Sequence, residues 1–132
     1  MIEYREGYKY QLVKPHELWI GIRPAVAITD DFISLDVDGH MIIHAGYAWD
    51  GPSGPTFDTP AFMRGSLVHD AGYQLMRNKH LPESDKEYFD RLLFDVCRSA
   101  GMSSPRAWYV YKAVQAFGLS AVRETRPILT AP

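Results

Sequence analysis

The chain has 132 residues, 46% of them hydrophobic and 23% charged, with a formal net charge of −2 at pH 7. That length is enough for one hydrophobic core and too short for two, and the charge balance lacks the broad basic surface that nucleic-acid phosphates attract. The lone cysteine, Cys97, excludes an intrachain disulfide and a cysteine-rich zinc site.

No basic stretch followed by an apolar run opens the sequence, and no apolar run approaches the ~20 residues of a membrane span. The expectation is a cytoplasmic protein. Arg98, Arg106, Lys112, Arg123 and Arg126 make the last third mildly basic, which reads as a solvated helix face. Cys97 lies in an apolar helical stretch and reads as core. An aromatic content of 13% points to a dense core or a contact surface.

In chain order, the first half reads as β. Residues 8–13 alternate weakly, and residues 18–22 form a short apolar run closed by Arg23 and Pro24. Residues 32–37 and 41–44 flank Asp38-Gly39-His40. Asp-Gly is favoured where both central turn residues take positive φ, so a tight hairpin is expected there. Residues 46–60 hold three prolines and three glycines, which predicts a loop without regular structure, of a length often tied to function.

The second half reads as three helices. Thr59-Pro60 is an N-cap followed by a proline at the first helical position, opening a helix to about Arg77. Ser84 and Glu87 form a capping box for a second helix that runs to Ala100 and stops at Gly101. Ser104-Pro105 opens a third helix, expected to end at Gly118, with residues 119–132 as an extended tail. The predicted fold class is α+β: an N-terminal antiparallel β portion packed on a C-terminal three-helix bundle, in one domain over residues 1–132.

One constellation carries chemistry. Phe62, His69, Tyr73 and Met76 are separated by seven, four and three residues, which puts them on one inward stripe of the first helix. Asp85, Phe89, Leu92 and Val96 make a similar stripe on the second. The short connection favours an antiparallel pair, so Asp85 is expected near Tyr73, with His69 a turn further in. A semi-buried carboxylate fixes the tautomer and orientation of an imidazole, which can then deprotonate water. Asp70 could hold a hard cation through oxygen, with Asp50 and the backbone of the Gly/Pro loop as further ligands. The candidate catalytic residues are therefore His69, Asp85 and Tyr73, and the candidate ligands of a hard cation are Asp70 and Asp50. The same four residues, His69, Asp70, Tyr73 and Asp85, would also serve as a buried hydrogen-bonded brace in a protein that binds a partner and catalyses nothing.

Four segments, Asp50-Gly51-Pro52-Ser53, His69-Asp70-Ala71-Gly72-Tyr73, Asp85-Lys86-Glu87-Tyr88-Phe89 and Tyr111-Lys112-Ala113-Val114-Gln115-Ala116-Phe117-Gly118, occur in this order. In them the chain resembles a family of small phage and prophage proteins, domain of unknown function 1353. That resemblance implies a phage or prophage origin, and so a place in the host cytoplasm or the virion, but no activity. The His-Asp-x-x-Tyr helix also resembles, more distantly, that of bacterial phospholipase A2. This second resemblance implies His69 as general base, Asp85 as its orienter, Asp70 as a calcium carboxylate and backbone carbonyls from the loop near Asp50, acting on a lipid or ester. A His-Asp phosphohydrolase pattern would need an earlier helical histidine, and His16, His40 and His44 fall in predicted β segments.

Overall fold

The computed structural model describes residues 2–4, 10–49, 60–123 and 129–131. It is an α+β protein with antiparallel strands in the N-terminal part and three helices in the C-terminal part. No helix among the described residues is long and apolar enough to cross a membrane. By its contacts the chain divides into two compact units, Gly7–Asp50 and Met1–Glu6 with Gly51–Pro132.

The strands are β1 (Ile2–Tyr4), β2 (Tyr10–Gln11), β3 (His16–Trp19), β4 (Ile28–Asp30), β5 (Ile33–Leu35), β6 (His40–Ile43), β7 (Ala48–Trp49) and β8 (Leu129–Ala131). In the first unit a four-stranded sheet runs in the order β3-β6-β5-β4, all antiparallel, and β2 pairs with β7. Register puts Ile33 opposite Ile43, Leu35 opposite Met41, and Ile28 opposite Leu35. These residues are buried, as period-two alternation requires of one face. The other face carries Trp19, 69% exposed and stacked on His40, and a hydrogen bond between Ser34 Oγ and His44 Nε2.

The β5–β6 turn falls where the Asp-Gly pair predicts it but is longer than a two-residue turn. Asp36 Oδ1 accepts from the amides of Asp38 and His40, and the Gly39 amide donates to Asp36 O. Only Gly39 takes a positive φ, 89°. The Asp36 side chain closes the loop, so Asp38 is spared the left-handed conformation that the shorter turn demands.

The second unit contains α1 (Pro60–Arg77), α2 (Lys86–Ser99) and α3 (Ser104–Arg123), with a 3-10 turn at Glu83–Asp85 before α2. The short strands β1 and β8 pair in the same unit. Ala61, Phe62, Leu93, Cys97, Met102, Ala107 and Val110 form a core cluster drawn from all three helices. Helix α1 approaches α2 through glycines. A Cβ at Gly72 would lie under 3.0 Å from the Phe89 ring, and one at Gly65 would crowd Cys97 and Leu93 in the same way.

Both connections between helices are set by backbone caps. At the end of α2 the amides of Met102 and Gly101 donate to Cys97 O and Arg98 O, with Gly101 at φ 106°. This is the double-bonded stop that Gly101 predicts. Helix α1 ends the same way, His80 donating to Leu75 O and Lys79 to Met76 O, with Lys79 at φ 65° in the position glycine normally takes. Helix α3 does not end at Gly118 but runs on to Arg123. Gly118 is an interior residue, where a Cβ would overlap Tyr73 Oη.

Candidate functional site

Helix α1 presents His69 and Tyr73 one turn apart, with ring centroids 4.0 Å from each other. Facing them on α2 is Asp90, with 0% exposure. Its Oδ1 accepts from Tyr73 Oη at 2.6 Å and from His69 Nε2 at 2.8 Å. Its Oδ2 accepts from Lys86 Nζ at 2.6 Å, one turn earlier on the same helix. Asp90 is thus a buried charge with three donors, the condition under which an aspartate can be fully buried at all.

Burial works to raise the Asp90 carboxyl, but the bonds from His69, Lys86 and Tyr73 outweigh it and hold the group below its ordinary value of 3.8. Burial, reinforced by the bond to Asp90, pushes the Tyr73 phenol well above its usual range. Tyr73 therefore remains a proton donor to the Asp90 carboxylate at neutral pH. An ionised carboxylate only accepts, so His69 Nε2 carries its hydrogen, and in the neutral ring Nδ1 keeps the lone pair. The His69 side chain is 12% exposed.

The lowered carboxyl has a consequence for stability. Folded Asp90 binds protons less readily than unfolded Asp90, so its contribution is complete above the unfolded value near 3.8 and is lost as pH falls through the folded one. Urea unfolding between pH 6 and pH 2 is expected to show a loss of stability below about pH 4 that is smaller in Asp90→Asn. Equal slopes in the two proteins would contradict it.

His69 and Tyr73 come together. The carboxylate bonded to His69 is Asp90, not the expected Asp85. Asp85 is the N-cap of α2, half-buried, without a side-chain capping bond, and its carboxyl is raised by burial. The cause is a rotation of the buried stripe: Phe89, Asp90, Leu93 and Cys97 face inward, while Leu92 and Val96 are half-buried. Amphipathic reading assigns an aspartate to solvent, and that hid Asp90. A usable signal was present, because Lys86 and Asp90 are four apart on one helix as His69 and Tyr73 are on the other.

Asp70 is half-buried beside His69, and Asp50 lies outside the described residues. A hard cation takes six to eight oxygens, and among the described residues no three His, Cys, Asp or Glu side chains gather where a metal ion could be held. Cys97 is buried and its thiol is pushed up to about 11 by that burial, so it is a core residue rather than a nucleophile. On the far side of the pair, Tyr111 Oη donates to Glu87, and Gln115 Nε2 donates to Glu87 Oε2 at 3.3 Å, tying α3 to α2. No protein-family model, curated protein or solved structure matches the chain.

Proposed function

We propose that the chain is a small hydrolase acting on an ester, with His69 as general base. The observation that supports this reading is the bond from His69 Nε2 to buried Asp90, which leaves Nδ1 as the basic atom of a side chain that is partly exposed. Nδ1 would take a proton from water, and the hydroxide would add to the ester carbonyl. The imidazolium formed, stabilised by Asp90, would return the proton to the departing alkoxide. The products are a carboxylic acid and an alcohol. Tyr73 and Asp90 act through His69 and touch no substrate in this scheme, and no step is assigned to a metal. Membership of the phage-type family, and with it a place in host cytoplasm or virion, belongs to the same proposal.

A panel of p-nitrophenyl esters and phospholipid vesicles tests it. The expected result is turnover by the wild type and a loss on the order of 10²- to 10⁴-fold in His69→Ala, with the unfolding midpoint nearly unchanged. A second reading, a non-enzymatic phage accessory protein braced by this cluster, is favoured by the complete burial of Asp90 and the engagement of both its oxygens. It is supported instead if the wild type turns over nothing and His69→Ala loses stability by ~1–3 kcal/mol.

A further inference from the structure

The two oxygens of Asp90 are shared unevenly. Oδ1 serves both His69 and Tyr73, and Oδ2 serves Lys86. The Lys86 ammonium also lies 3.3 Å from the backbone carbonyls of Val114 and of Gln115 on α3. An ammonium has three protons, and these three acceptors use them all. The lysine head is therefore held at one point where α2 and α3 meet, with its side chain only 13% exposed. This differs from a solvated i,i+4 pair, whose long side chain exchanges freely among geometries.

We infer that Lys86 is a positioning residue of the site: anchored on α3 carbonyls, it pins Asp90 Oδ2 so that Oδ1 is presented to His69. The inference rests on the hydrolase reading for its effect on turnover and on geometry alone for its effect on His69. The terminal torsion of an aspartate is broad, and a carboxylate held only at Oδ1 could turn about it. Lys86 supplies the second point. Helix α3 thereby contributes through its backbone, and Gly118 supports this by leaving space. A Cβ there would overlap Tyr73 Oη and lie 3.0 Å from Lys86 Cε. Among the described residues, Arg77 on α1 and Glu87 on α2 also act on Tyr73, and Glu87 is already bonded to Tyr111 and Gln115.

The test uses the full chain labelled with ¹⁵N-histidine at one neutral pH. Wild type is expected to show a hydrogen-bonded Nε2–H resonance from His69, assigned by its loss in His69→Ala. Lys86→Met should lose that resonance to exchange while circular dichroism still reports the three helices. Lys86→Arg should keep it at a shifted position, because a planar guanidinium cannot take the same three acceptors. Turnover should fall on the order of 10- to 100-fold in kcat for Lys86→Met with KM little changed, and Lys86→Arg should recover part of it. A lysine that only braces α3 would lower stability and leave the resonance where it was, so an unchanged resonance in either folded variant overturns the inference, as does its absence from wild type. If Lys86→Met does not fold, the shift in Lys86→Arg decides. If wild type hydrolyses no ester, the hydrolase reading falls, and the resonance still decides the role of Lys86.

Discussion

Asp90→Ala is expected to destabilise the protein by about 3–5 kcal/mol, the range for removing one partner of a buried ion pair. The magnitude follows from what is left behind. Tyr73, a residue 3% exposed, and half-buried His69 each lose the acceptor of their Oη and Nε2 groups, and the Lys86 ammonium keeps only two long bonds to carbonyls. Were the Lys86–Asp90 pair an ordinary surface pair, its loss would be worth about 0–1 kcal/mol. Zero exposure at Asp90 decides for the larger figure. Asp90→Asn should cost less, because the amide oxygen can still serve Oδ1's two donors, but its NH2 would then face the Lys86 ammonium. Urea denaturation at neutral pH measures both. A loss under 1 kcal/mol for Asp90→Ala would mean that water screens the cluster, and both the site and the brace readings would lose their foundation. The double variant with Lys86→Met should lose less than the sum of the single losses, since the two residues share one interaction.

Gly72→Ala is the second large effect. Two terms oppose each other. Alanine in a helix interior gains about 1 kcal/mol over glycine. Against that, the added methyl would meet several atoms of the Phe89 ring at under 3.0 Å. Phe89 is itself fully buried, so the ring has no open direction, and α1 and α2 must separate or Phe89 must leave its rotamer. Overpacking of this kind costs about 1–3 kcal/mol and at times more, and three crowded ring atoms put this case at the high end. A net loss of about 2 kcal/mol is expected, with Tyr73, one residue on, drawn away from Asp90. Thermal unfolding measures the loss, and a companion Phe89→Leu substitution should recover part of it. A stabilised Gly72→Ala would show that the helices are not in contact at this point.

Much of the helical unit could be read in advance because its signals are local. Pro60 opens α1 and Ser104 opens α3 where the sequence predicts them, and Gly101 marks the end of α2. The stop of α1 has no such mark. Lys79 carries the left-handed residue, at a conformational cost that sequence statistics assign to glycine. Gly118 misleads in the opposite direction. A glycine late in a helix reads as a terminator, yet it serves here to let Tyr73 and the stem of Lys86 come close to α3. In the sheet unit, β5 and β6 are legible in the sequence as apolar segments flanking the Asp-Gly pair, while β4 becomes a strand by pairing with β5.

The sequence by itself determined the α+β class, the succession of the three helices, and the placing of His69 with Tyr73 on one inward stripe, because periodicity and capping are properties of a few neighbouring residues. Only the tertiary structure decided which carboxylate meets the imidazole. An aspartate enters a core when donors from several elements converge on it, and Asp90 draws one from its own helix and two from α1. The lysine that completes the set is in turn anchored by carbonyls of α3. The energy of that burial is a property of the four side chains together, and no single segment of the chain contains it.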